Sequence, residues 1–238
     1  MSLQTTLITH QTLKIAHLTI SRPKKLNALN TPLLRQIPEA LRNLSKTPNL
    51  LAVTLTGAGD KAFIGGADLA EMAALSSPAA ARTFISHVHA ACDALRRCPV
   101  PVIARVNGFA LGAGLEIAAA CDVRVASRRA VFGMPEVCLG IPSVVEAALL
   151  PGLIGWGRTR QLLLFGGTVS AEEALRWGLV ERVVGEGELD GAVRELTGQL
   201  AGNGLLAVRR QKALISRWEE LSLGAGIEAG VEAFGGVF

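Results

Sequence analysis

The chain has 238 residues, of which 50% are hydrophobic and only 4% aromatic, with no tyrosine and a formal charge of +4. That length fits one large α/β domain or two small ones around a sizeable aliphatic core, and the lack of tyrosine excludes any mechanism built on a phenolic acid or oxyanion donor. No apolar run approaches the roughly 20 residues that span a bilayer, so no membrane partner is expected.

Met1 to His10 is polar and has no charged segment leading into an apolar one, so no secretory signal is read and a cytoplasmic location is expected. Leu13 to Ser21 alternates like a strand and is broken by Arg22-Pro23-Lys24-Lys25. Thr31-Pro32 reads as the N-cap and first position of a helix over Leu33 to Leu44, which Pro38 should kink or shorten. Leu50 to Thr56 is a β-branched, apolar run and reads as a buried strand. After it comes Gly65-Gly66-Ala67-Asp68, with Asp68 placed to cap a helix start. Ala79 to Arg97 reads as helix, Val102 to Val106 as strand, Leu115 to Ala120 as helix, and Asp122 to Ala126 and Ala130 to Phe132 as strands. From there helices are expected over Val144 to Leu150, Gly157 to Phe165, Ala171 to Trp177, Leu189 to Ala201 and Leu205 to Leu221, with only Leu179 to Val184 extended. The alternation argues for a parallel-type sheet flanked by helices, followed by a helical C-terminal part. Cys92, Cys98, Cys121 and Cys138 lack Cys-x-x-Cys spacing and read as buried free thiols. His87 and His89, two apart on a helix, face different ways, and His10 and His17 have no partner pattern, so no metal site is expected.

Two loops follow buried strands, Phe63 to Asp68 and Asn107 to Glu116, and ligands bind at the carboxyl ends of strands in such sheets. Each offers small residues where a backbone N–H must approach a substrate oxygen, and Ala67 and Ala113 are the natural donors. Gly108, Gly112 and Gly114 fit neither the dinucleotide nor the P-loop spacing, which argues against nicotinamide and ATP chemistry. Glu116 and Glu136 supply two carboxylates for proton transfer.

Several motifs carry a resemblance: Arg22-Pro23 with Asn27-Ala28-Leu29, Ala62 to Leu69, Asn107 to Glu116, Cys121-Asp122, and Phe132-Gly133-Met134-Pro135-Glu136. In that order, from about Ile15 to Val184, the chain resembles the crotonase family, the enoyl-CoA hydratase/isomerase superfamily. The resemblance implies repeated ββα units over 1–185, then a helical, trimerising region over 186–238, in a homotrimer or a dimer of trimers. It implies an acyl-CoA substrate, no cofactor beyond the coenzyme A that the substrate carries, and a thioester oxygen held by the N–H groups of Ala67 and Ala113. The reaction implied is hydration of a 2,3-enoyl-CoA of short or medium chain, as in fatty acid metabolism. Glu116 would deprotonate water for attack at C3 and Glu136 would protonate C2, in a setting made apolar by Met134, Pro135, Val137 and Ile141. Contacts to substrate are carried over to Lys24 and Lys25 at the CoA phosphates and to Ala28, Gly65, Gly66, Asp68, Leu69, Gly112, Pro135 and Ser143. Asp68 and Asp122 fall where relatives use capping or structural residues.

Isomerisation, hydrolysis or another enolate reaction on the same scaffold is the alternative, and an RNA-binding scaffold a distant one that the scattered basic residues argue against. Two departures stand out. Ser143 and Glu146 replace small or neutral groups past the second glutamate and read as a capping box. The sequence also ends at Phe234-Gly235-Gly236-Val237-Phe238, earlier than the resemblance leads one to expect.

Overall fold

The structure is a computed structural model that describes residues 2–10 and 12–237. Met1, Gln11, Phe238 and the side chains of Ser2 and His10 lie outside it, and with them the reading of His10.

Two sheets carry the α/β core. The larger has the order β1-β2-β3-β5-β7-β10, formed by β1 (Ser2–His10), β2 (Leu13–Ser21), β3 (Leu50–Gly57), β5 (Val102–Val106), β7 (Val123–Ser127) and β10 (Arg182–Val184). All its neighbours are parallel except β1 against β2. The smaller has the order β4-β6-β8-β9, from β4 (Ala62–Ile64), β6 (Phe109–Leu111), β8 (Val131–Gly133) and β9 (Thr168–Ser170), three residues each.

The chain alternates between the sheets. β3 then β4, β5 then β6, and β7 then β8 each place one strand in the large sheet and the next in the small one before a helical segment follows, which is the repeated ββα arrangement expected from the sequence. The helical segments are α2 (Leu69–Ala73) with α3 (Pro78–Arg96), then α4 (Ala113–Ala119), then a 3₁₀ turn over Pro135–Leu139. Because β4, β6 and β8 are mutually parallel, their carboxyl ends face the same edge. Alternate residues explain how the large sheet is covered on both faces: Val102, Ala104 and Val106 join the main core with α1 (Thr31–Leu44), α3 and α4, while Ile103 and Val125 pack on Leu189, Ala192 and Val193 of α7 (Leu189–Ala201).

Several expectations are corrected. The polar N-terminus forms β1, pairing with β2 over its full length. Helix α1 begins at Thr31 and is capped by Asn30, whose side chain accepts from the Leu33 N–H at 3.3 Å. It runs through Pro38 unshortened, since Leu33, Leu34, Ile37, Leu41 and Leu44 bury one face on both sides of the proline. The segment read as a helix from Val144 is a 3₁₀ turn over Val145–Leu149, and α5 (Leu150–Phe165) starts earlier than expected, interrupted at Gly155. Past α6 (Ala171–Trp177), α7 and α8 (Leu205–Trp218) lies a helix the sequence reading missed, α9 (Leu223–Gly235), whose glycines mask its period. Leu223, Ile227, Val231 and Phe234 of α9 are exposed. Cys92, Cys98 and Cys121 are buried free thiols, but Cys138 is exposed on the 3₁₀ turn.

Asp122 has the structural role expected of it. Its Oδ2 accepts from the Val102 N–H at 2.6 Å and from Lys212 Nζ at 2.6 Å. Lys212 is buried and also donates to the carbonyls of Leu95 and Val100, which fastens α8 to the core. The Lys212 side chain is 6% exposed but that of Asp122 is 30%, so solvent partly screens the pair and its loss costs less than that of a fully buried one. Among the described residues no helix is long and apolar enough to cross a membrane.

Candidate active site

The loop after β4 is held by its backbone. Gly65 N–H donates to the Leu26 carbonyl, Leu29 N–H to Gly66, and Asp68 N–H to Leu29, each at 2.8 Å. Ala67 sits between these anchored neighbours, and its N–H has no partner among the described residues. Two buried asparagines brace the loops: Asn27 donates to the carbonyls of Ala58 and Ala62, and Asn107 donates to those of Gly57, Gly59 and Ala62. Sequence reading quoted both only as parts of motifs. The signal for a bracing role is an amide side chain in an otherwise apolar stretch, since a buried amide must spend its donors and acceptor on backbone.

The loop after β6 turns into α4 at Gly112, whose φ of +51° favours glycine. The Gly112 N–H donates to the Gly133 carbonyl, tying β6 to β8, while the N–H groups of Leu115 and Glu116 return to the Gly112 carbonyl. Ala113, the first residue of α4, has an N–H without a partner among the described residues, as expected at a helix start. Gly114 sets how closely the two loops meet. A Cβ at that position would lie 2.0 Å from the Ile64 carbonyl oxygen, so only glycine lets α4 rest on the end of β4.

Glu116 lies three residues beyond Ala113 and is 4% exposed. Burial pushes its carboxyl up to about 8, the Ala147 N–H at 3.2 Å opposes that rise, and the charges of Glu136 and Glu146 add to it. Glu136 stands on the 3₁₀ turn just past β8 and is half-buried. One carboxylate oxygen, Oε2, accepts from the Ser143 hydroxyl at 2.9 Å, and the other, Oε1, would lie 2.5 Å from a Cβ at Gly112. The apolar setting was expected around Glu136, but the carboxyl that burial raises is that of Glu116. Of the four apolar neighbours named for Glu136, Val137 is exposed and only Met134 is fully buried.

The remaining expected contacts divide. Gly65, Gly66, Gly112 and Pro135 belong to the two loops and to the turn that carries Glu136. Lys24 and Lys25 are exposed on the 3₁₀ turn Pro23–Lys25, which leads into Leu26, the acceptor for Gly65. Leu69 is exposed at the start of α2. Ala28 offers a carbonyl already taken by Arg22 Nη1 at 2.6 Å. The Asp68 carboxylate is also engaged, accepting from the Ala70 and Glu71 N–H groups and from Arg22 Nη2 at 2.8 Å; the Arg22 hydrogen bond foremost holds it below the usual carboxylate range. The capping box read at Ser143 and Glu146 does not form. Val144 caps the turn without a side-chain bond, Ser143 goes to Glu136, and Glu146 is bound at Oε1 by His89 Nδ1 at 2.8 Å, a pairing that sequence spacing did not signal.

A cavity of about 1130 Å³ lies elsewhere, lined by residues such as Ala119, Asp122, Leu153, Leu196 and Lys212, and touches neither glutamate. Among the described residues no group of three or more His, Cys, Asp or Glu is arranged to hold a metal. Where β4, β6 and β8 end, the structure thus brings together two backbone N–H groups without a partner among the described residues, one buried carboxyl raised to about 8, and a second carboxyl bound by a hydroxyl.

Comparison with known proteins identifies the family. Residues 10–238 match the model of the family described as enoyl-CoA hydratase/isomerase. The chain is 40% identical over 226 residues to the short-chain-enoyl-CoA hydratase of Clostridium acetobutylicum, covering 94% of this chain and 86% of that protein. It is also 40% identical over 223 residues to the crotonyl-CoA hydratase of Syntrophomonas wolfei, covering 93% and 85%. Its fold is similar to the crystal structure of the enoyl-CoA hydratase from Bacillus anthracis, with a TM-score of 0.91 at 35% identity, covering 98% of this chain and 90% of that one.

Proposed function

The chain belongs to the enoyl-CoA hydratase/isomerase family and is an enoyl-CoA hydratase, and on that premise we propose a course for its reaction. A short-chain 2,3-enoyl-CoA binds with its thioester oxygen on the N–H groups of Ala67 and Ala113. Glu116, once ionised, takes a proton from water as the hydroxyl oxygen attacks C3. The electron pair of the double bond moves toward C2 and the carbonyl, giving an enolate-like transition state on the two donors, and Glu136, entering the step as the carboxylic acid, delivers its proton to C2; Glu116 then releases the proton it took from water and Glu136 takes one up, which restores both groups. The product is the 3-hydroxyacyl-CoA, with no cofactor beyond the coenzyme A that the substrate carries. Lys24 and Lys25 meet the CoA phosphates. The protein works in the cytoplasm as a homotrimer or a dimer of trimers, with the exposed side of α9 among the contacts.

One observation carries the reading: parallel strands β4, β6 and β8 end at one edge and lead into Ala67, Ala113 and Glu136, with Glu116 one helical turn beyond Ala113. Donors aimed at developing negative charge contribute about 3–4 kcal/mol each in oxyanion holes. Glu116 matches the requirement that a catalytic acid or base titrate near the working pH.

The test is hydration of crotonyl-CoA followed by loss of its enoyl absorbance, with Glu116→Gln and Glu136→Gln alongside the wild type. Each variant is expected to lose at least 10²-fold, the lower end of what a positioned acid or base supplies. Undiminished rates in both variants overturn the two-glutamate course. A panel of acyl-CoAs with product identification separates hydration from isomerisation or hydrolysis on the same residues.

A further inference from the structure

Residues 143–147 form a strap between the two glutamates. At one end the Ser143 hydroxyl donates to Glu136 Oε2 at 2.9 Å, and at the other the Ala147 N–H donates to Glu116 Oε1 at 3.2 Å. Between them Glu146, buried, is bound by His89 Nδ1, which fastens the strap to α3. Val145 in the middle has φ +41°, a conformation that a β-branched residue adopts only when its surroundings force it. The strap is thus pinned at both ends and at its centre.

The two Glu136 oxygens have different surroundings. Oε2 faces Ser143, while Oε1 faces Gly112, the residue before the Ala113 donor. A carboxyl on a half-buried turn is otherwise free to rotate, because the last torsion of a glutamate has broad, roughly two-fold minima. We propose that Ser143 is a positioning residue for hydration: by holding Oε2 it keeps Oε1 turned toward Gly112 and Ala113, the side from which C2 of a thioester gripped by Ala113 is protonated. This rests on the hydration reading above. It assigns Ser143 to the acid, whereas the sequence pattern suggested a cap and the resemblance a contact to substrate.

The experiment compares the wild type with Ser143→Ala and Ser143→Gly, which lack the hydroxyl, and with Ser143→Thr, which keeps it. Crotonyl-CoA hydration is measured in water and in deuterium oxide, with thermal melting to establish folding. Misplacing a catalytic group by about an ångström can cost about 10²-fold. The Ala and Gly variants are therefore expected to lose roughly 10- to 100-fold in kcat with KM little changed, and to deuterate C2 with less facial selectivity. The Thr variant should stay within a few-fold of wild type and keep its selectivity. Wild-type kcat and selectivity in the folded Ala or Gly variant would overturn the proposal, as would equal impairment in the Thr variant. A wild-type protein that does not hydrate crotonyl-CoA overturns the hydration reading and this inference with it, whereas hydration indifferent to residue 143 overturns this inference alone.

Discussion

Glu116 stands on α4, whose seven residues are all buried, whereas Glu136 stands on a 3₁₀ turn whose residues Val137 and Leu139 are 37% and 56% exposed. The two supports act on their carboxyl groups by different means. In α4 the surroundings withhold water, so the protonation state is set by desolvation, and the one hydrogen bond from Ala147 only moderates it. On the turn the carboxylate remains partly wet, and its orientation is set by a hydroxyl from a strap further along the chain. One glutamate is thus tuned by its solvent and the other by its geometry, although the proposed addition calls on both.

Replacing each glutamate in turn tests this contrast most strongly. Glu116→Gln and Glu136→Gln should each abolish most hydration, and the first should also change how stability depends on pH. The Glu116 carboxyl is raised from 4.5 to about 8 in the folded protein, so below the unfolded value it carries no penalty. As pH rises from about 4.5 through about 8 the unfolded chain gives up its proton first, and wild-type stability falls over that window. Glu116→Gln should flatten the fall and melt higher than wild type at pH 9, a difference that thermal unfolding at several pH values would show. A slope unchanged by the substitution would mean that burial does not set the state of Glu116.

The support itself comes next. Gly114→Ala places a methyl group 2.0 Å from a backbone oxygen of β4, so α4 must shift or unfold. Overpacking of this kind typically costs about 1–3 kcal/mol, and a lower melting temperature with activity lost beyond the loss of folded protein is expected. The smallest of these effects is the pH profile. If Glu116 is the base, kcat/KM rises about tenfold per pH unit below about 8 and levels above it, because roughly a tenth of the molecules hold it ionised at pH 7. A profile that instead declines above about 8 would make Glu116 the acid and exchange the roles of the pair.

The sequence announces some of this plainly. Apolar, β-branched runs marked β3 and β5, and glycines between strand and helix marked the two loops, because those features answer to local backbone demands. The three-residue strands β4, β6 and β9 were invisible, since a run that short has no period to read and pairs only because the larger sheet holds its neighbour in place. Pro38 was misjudged for a related reason: one missing hydrogen bond is outweighed by a buried face that extends past it. In the site, Ala67, Ala113, Glu116 and Glu136 are legible from their motifs. The strap is not, because what Ser143 and Glu146 bind depends on the approach of α3 and the 3₁₀ turns, and a capping pattern in sequence looks the same whether or not the cap forms. That the raised carboxyl is Glu116 also required the fold, since desolvation is a property of everything packed around α4.

A neutral Glu116 alters the charge the protein presents to its ligand. The formal +4 counts every carboxylate as ionised, so at pH 7 most molecules carry one positive unit more than the formula gives. An acyl-CoA is polyanionic, and any change it makes in the solvation of Glu116 on binding must move a proton to or from the buffer. Binding heat measured in buffers of different ionisation enthalpy should therefore differ for the wild type and coincide for Glu116→Gln. Such a difference would make the buried carboxyl a point of proton exchange on binding, before any chemistry.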